Sequence, residues 1–136
     1  MGYAVRDVNA KATRALPASA GTVYSAGIDL GNGPKGDFVA EVEVKISAPA
    51  LNTTQLPDTR TMTYSVQQHD DADFGAPTTI QADVIVQTGA GGAGAAAATY
   101  TFRLKLGVER YIRLKVVGGS SIGDCTGATA TLELLF

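Results

Sequence analysis

The chain has 136 residues, 45% of them hydrophobic, and a formal net charge of −2. That length supports one domain with one core and leaves too little for two. Eleven basic residues spread without a tract exclude an electrostatic grip on nucleic acid, and a lone cysteine excludes an internal disulfide, so burial alone must hold the fold.

The first 21 residues, "MGYAVRDVNAKATRALPASAG", are polar and alanine-rich and have no clean period. Tyr3, Val5 and Leu16 are too sparse to make a buried face. Residues 1–21 therefore read as an extended arm, with at most a short first strand, that reaches a neighbouring chain. Residues 22–136 read as the domain. No run here is apolar enough for a signal peptide or a membrane span, and Arg6 stands where a myristoylation pattern wants Ser or Thr. One unpaired cysteine fits synthesis in a reducing cytoplasm.

From Val23 onward the period is two. A first strand is expected over Val23–Leu30. In "FVAEVEVKI", Ala40, Val42, Val44 and Ile46 fall on one side, and Glu41, Glu43 and Lys45 on the other. A helix would scatter those three charges, whereas a strand gathers them on its wet face. Thr61–Gln68 follows, with Met62, Tyr64 and Val66 inward, then Thr79–Gln87. The glycine- and alanine-rich Gly89–Ala98 reads as a mobile loop. "YTFRLKL" sends Tyr100, Phe102, Leu104 and Leu106 inward, and "RYIRLKVV" sends Ile112, Leu114 and Val116 inward. The short spacer between these two predicts a tight hairpin with Gly107 at its turn. "ATATLELLF" completes a three-strand meander, with Ala128, Ala130, Leu132, Leu134 and Phe136 on the core face. Clusters such as "GNGPKGD", "DDADFGAP" and "VGGSSIGD" separate the strands. Short strands punctuated this way predict an all-β, single-domain antiparallel sandwich, jelly-roll-like, of seven to eight strands.

Chemistry is sparse. His69 is the only histidine and precedes Asp70, Asp71 and Asp73. Clustered carboxylates suit hard cations, but this spacing lacks the central glycine and distant glutamate of a calcium loop. The expectation for His69–Phe74 is an exposed turn free of metal. No serine sits in a nucleophile elbow, and Cys125 beside Asp124 reads as a small buried hydrophobe rather than a thiolate. Glu41, Glu43 and Glu133 fall on polar faces, away from the cleft a paired-carboxylate hydrolase needs. "GAGGAG" lacks the Lys-Ser/Thr of a phosphate loop, and the absence of tryptophan argues against stacking of sugar rings. The expectation is no enzyme, no cofactor and no metal.

The run "RYIRLKVVGGSSIGDCTGATATLEL" resembles the C-terminal part of capsid cement proteins of the Bordetella-phage type: an arginine-aromatic-aliphatic-arginine strand, Val-Gly-Gly, a small-residue turn and a glycine-led last strand. "SAGIDLGNG" and "TYSVQQHDDADFGAPTTI" resemble the family more loosely. The resemblance implies a jelly-roll decoration protein on the outer capsid surface of an icosahedral phage head, clamping neighbouring copies of the major capsid protein. It implies no catalytic site, no cofactor, and a virion location after synthesis in the host cytoplasm. The arm then supplies the capsid-contact candidates: Tyr3 and Val5 as anchors, Arg6, Lys11 and Arg14 as donors of charge-assisted hydrogen bonds. A homo-oligomer, dimer or trimer, suits the two-fold and three-fold positions of such a shell. The alternative is a β-sandwich binding module of a phage tail or fibre, recognising a receptor or carbohydrate.

Overall fold

A computed structural model describes residues 11–31, 42–105 and 107–135. Within them lie nine strands: β1 (Lys11–Ala15), β2 (Gly21–Tyr24), β3 (Ile28–Asp29), β4 (Glu43–Ala48), β5 (Thr61–His69), β6 (Thr78–Thr88), β7 (Ala98–Arg103), β8 (Tyr111–Gly118) and β9 (Thr129–Leu135). They form two antiparallel sheets. One runs β1-β9-β4-β7; the other runs β2-β8-β5-β6, with β3 also paired to β8. The protein is an all-β antiparallel sandwich. The strand expected over Val23–Leu30 is divided into β2 and β3.

The alternation places the core as expected on the long strands. Val44 and Ile46 of β4, Met62, Tyr64 and Val66 of β5, Ile112, Leu114 and Val116 of β8 and Leu132 of β9 are all fully buried between the sheets. Ala40, Glu41, Leu106 and Phe136 lie outside the described residues.

Three expectations are corrected. First, Leu16 is not too isolated to be buried, and the short first strand joins the sandwich. Lys11–Ala15 pairs with β9, Leu16 is 1% exposed, and the Leu16 N–H donates to Ala128 O at 3.0 Å. Ala12 and Leu16 suffice because the strand lies beside β9 and needs only to extend an existing face. Second, β7 and β8 form no hairpin, since they belong to opposite sheets. Gly107 does lie in a turn, closed by the Val108 N–H to Lys105 O at 3.1 Å, but the turn crosses the end of the sandwich. Leu104 and Val108 are buried there, and a tight hairpin would expose both. The passage from β8 to β9 crosses likewise, over buried Ile122 and Cys125, so the meander is also absent. Third, Tyr100 is exposed: its register partner Ile46 is buried, but β7 is the sheet's last strand.

Candidate functional site

The face of β8 turned away from the core carries Tyr111, Arg113 and Lys115, because Ile112, Leu114 and Val116 take the inner side. Register brings Gln67 of β5 opposite Arg113, His69 opposite Tyr111, and Tyr24 of β2 opposite Lys115. The β5–β6 connection folds back over this face. Its Phe74 adopts a left-handed backbone (φ 52°), with its N–H bonded to Asp71 O at 3.1 Å, and is 5% exposed. Phe74 was expected in an exposed turn, but its ring is drawn onto the sheet by the cation beneath it. The Arg113 guanidinium carbon lies 4.4 Å from the Phe74 ring centre and 3.8 Å from that of Tyr24. The cation is thus held between two aromatic faces, and its Nε donates to Gln67 Oε1 at 2.9 Å. Burial lowers the Arg113 pKa from its usual value. Gly27 completes the pocket for Phe74, since a Cβ there would stand 2.8 Å from the ring.

Beside this stack, Arg110 makes a two-pronged pair with Asp29, Nε to Oδ1 at 2.9 Å and Nη2 to Oδ2 at 3.0 Å, and lies 5.0 Å from the Tyr111 ring centre. The hydrogen bond to Asp29 raises the Arg110 pKa. Tyr24, at 39% exposure, and half-buried Tyr111 leave aromatic surface open to a ligand. The chemistry of the face is that of recognition: aromatic surface, guanidinium and amide. The cluster was hidden in the sequence because its members come from four separate segments.

A second concavity of about 330 Å³ opens where the edges of β6 and β7 part. Ile80, Phe102 and Val108 give it apolar walls, and Gln68, Gln81 and Lys105 give it polar groups.

The remaining sequence candidates lie in separate places. His69, Asp71 and Asp73 bring ligand atoms within 4.8 Å of one another. However, the His69 Nδ1 lone pair accepts the Asp71 N–H at 2.9 Å, and Asp73 Oδ1 accepts the Gly75 N–H at 3.2 Å, so the turn itself uses these atoms. Cys125 is buried at the other end of the sandwich, its N–H bonded to Pro17 O and its Sγ 3.5 Å from Gln55 O. Burial, with Asp124 adding, pushes its thiol pKa up. Glu133 lies in register between Lys11 and Lys45, a cross-strand charge arrangement rather than a cleft. Of the contact candidates, Tyr3, Val5 and Arg6 lie outside the described residues. Lys11 and Arg14 are both exposed on β1, three positions apart and so on opposite faces; they do not form one patch.

No protein-family model and no curated protein matches the chain. Among solved structures it is similar to the crystal structure of PirA, with a TM-score of 0.51 and 10% identity over 95% of this chain and 96% of that one. It is also similar to CBM27-1 of Caldicellulosiruptor saccharolyticus in complex with mannohexaose (TM-score 0.46, 13% identity, 91% of this chain and 70% of that one). A CBM4 structure follows at a TM-score of 0.34 and 16% identity, over 83% of this chain and 67% of that one. At 10% identity the likeness to PirA is one of fold, an all-β domain matched along nearly its whole length.

Proposed function

We propose that this chain is a structural virion protein, a decoration protein that binds the outside of an icosahedral phage head and stabilises contacts between major capsid proteins. The observation that carries this reading is where the resemblance falls. Arg110–Leu134 builds β8 and β9, inner strands of the two sheets, so the likeness to cement proteins lies in the framework of the sandwich. The reading is also supported by the side chains themselves, since among the described residues the sole histidine and the sole cysteine are held apart. The domain works by binding, on the capsid exterior, without a cofactor. Exposed Lys11 and Arg14 on β1 remain its candidate contacts with acidic capsid surface. Quantitative mass spectrometry of purified particles tests this. A decoration protein is present in numbers comparable to the major capsid protein, and Lys11→Glu with Arg14→Glu lowers its occupancy. A handful of copies per particle overturns it.

The second reading, a tail or fibre binding module for a receptor or carbohydrate, is favoured by the Tyr24–Arg113–Phe74 stack and its open aromatic rim. Low copy number, together with retention on a glycan array that Tyr24→Ala abolishes, would establish it instead.

A further inference from the structure

Five strands lie at the edges of the two sheets, the two-residue β3 sharing one edge with β2, and they differ in how they are protected. Bare strand edges invite pairing with another chain, and proteins blunt them with charge, brevity or bulges. β1 carries Lys11 and Arg14, and β2 has four residues. β6 is broken by a bulge: its register against β5 jumps between Tyr64 and Val66, where Asp83 takes a φ of 50° and its N–H bonds to Ser65 Oγ at 3.0 Å. β7 has none of these devices. Its sequence, ATYTFR, is rich in strand formers, its register against β4 is unbroken over six residues, and its one charge, Arg103, stands at its end. Among the described residues no strand pairs with its other side.

The direction of its backbone groups follows from one bond. The Leu104 N–H donates to Val42 O at 3.2 Å, so it points toward β4. Backbone groups alternate sides along a strand, so those of Tyr100 and Phe102 also face β4, while those of Thr99 and Thr101 face away. Tyr100 and Phe102 share the inner side of β7 with ring centres 6.2 Å apart, and Tyr100 is 36% exposed, with no strand among the described residues continuing the sheet beside it.

We infer that β7 is a self-association edge: two copies of this chain join antiparallel, β7 to β7, about a two-fold axis at Thr101. In that register Thr101 exchanges both backbone bonds with its own copy. Thr99 faces Arg103 of the other copy, so the two arginines lie at opposite ends. Tyr100 faces Phe102 of the other copy in a non-hydrogen-bonded pair, where side chains approach closest, and the exposed tyrosine is covered twice over. A parallel arrangement would set the two arginines side by side. Only the antiparallel one joins the two sheets symmetrically and closes at two copies. The inference stands whichever functional reading holds.

Two experiments on the full chain test it. In a hydrogen-bonded antiparallel pair, opposite Cα atoms lie about 5.5 Å apart, within disulfide reach. Thr101→Cys is expected to form a disulfide-linked dimer under mild oxidation, whereas Thr99→Cys, whose copies are offset along the strands, is not; native Cys125 is buried and does not compete. Sedimentation velocity is expected to show a dimer for the unmodified chain and a monomer for Thr101→Lys, which sets two like charges on the axis. Mixing Thr101→Lys with Thr101→Glu restores the dimer. A monomeric or trimeric native chain, equal crosslinking at both cysteine positions, or a Thr101→Lys protein that folds and stays dimeric overturns the proposal. If Thr101→Lys does not fold, the cysteine pair decides alone.

Discussion

The Tyr64 hydroxyl donates a 2.6 Å hydrogen bond to Gln87 Oε1 in the interior of the sandwich. Tyr64 is fully buried and Gln87 is 4% exposed. The Gln87 amide then donates to Pro49 O at 2.7 Å and to Ala96 O at 3.0 Å. One side chain thus ties β5 and β6 to the two connections that pass over this end of the core. Among the described residues every buried side-chain nitrogen and oxygen has a partner. Tyr64→Phe leaves Gln87 Oε1 buried without its donor, and is expected to cost about 1–3 kcal/mol. Gln87→Ala, which strips partners from Tyr64, Pro49 and Ala96 together, is expected to cost more. Urea unfolding of the two variants gives the ordering.

Alkaline pH should destabilise the fold through two protonated groups. Burial pushes up the pKa of the Tyr64 phenol, with Cys125 adding, and burial with Asp124 pushes up that of the Cys125 thiol. Both groups therefore hold protons in the folded chain that the unfolded chain releases. Below the unfolded values this stability is fully present. It is lost as pH rises past about 8.5 for the thiol and about 10 for the phenol, toward the higher folded values. The urea midpoint should fall between pH 8 and 10, and Cys125→Ala should flatten the first part of that fall while lowering the baseline.

Leu16 tests the boundary of the domain. A residue in a loose arm tolerates truncation, whereas Leu16 at 1% exposure belongs to the core. Leu16→Ala is expected to cost about 2–5 kcal/mol. Lys11→Ala and Arg14→Ala, both exposed, should stay within about 0.5 kcal/mol of the parent. Thermal unfolding of the three variants distinguishes the two readings.

The Arg113 stack should discriminate between cations. Arg113→Lys keeps the charge but loses the planar group held between Tyr24 and Phe74, and the Nε bond to Gln67. A loss of about 1 kcal/mol is expected. Phe74→Ala should cost more, roughly 3 kcal/mol, since the ring is buried. Gly27→Ala should resemble Phe74→Ala more than an ordinary surface change, because its Cβ would meet the Phe74 ring.

Calcium should not bind at the β5–β6 turn. His69 Nδ1 and Asp73 Oδ1 are occupied by backbone N–H groups, and a cation would have to displace those bonds. Titration calorimetry should give no saturable heat at micromolar calcium. A clear isotherm abolished by Asp71→Asn would reverse this view.

Much of the sandwich was legible one strand at a time. The inner faces of β4, β5, β8 and β9 follow from alternation, because a residue's side is a local property of an extended backbone. Leu16 was missed because one apolar side chain carries no period; it is buried only because β9 offers a place beside it. The candidate site was not legible at all. Tyr24, Gln67, Phe74 and Arg113 lie far apart in the chain, and nothing local to any of them marks the stack.

What the sequence determined by itself is therefore the class of fold, all-β and antiparallel, and the inner and outer sides of β4, β5, β8 and β9; on β6, Gln87 is buried and Val86 exposed, which its own residues do not announce. Which sheet each strand joins was decided only in three dimensions. The same alternation suits β7 and β8 as a hairpin or as members of opposite sheets. The choice falls to Leu104 and Val108, which are buried only if the chain crosses the end of the core. Edge position was decided in the same way. Tyr100 has the pattern of a core residue and the partner of one in Ile46, yet it is exposed because, among the described residues, its sheet stops at β7. Burial depends on what lies on the far side of a strand, and that neighbour comes from long-range pairing rather than from the strand's own residues.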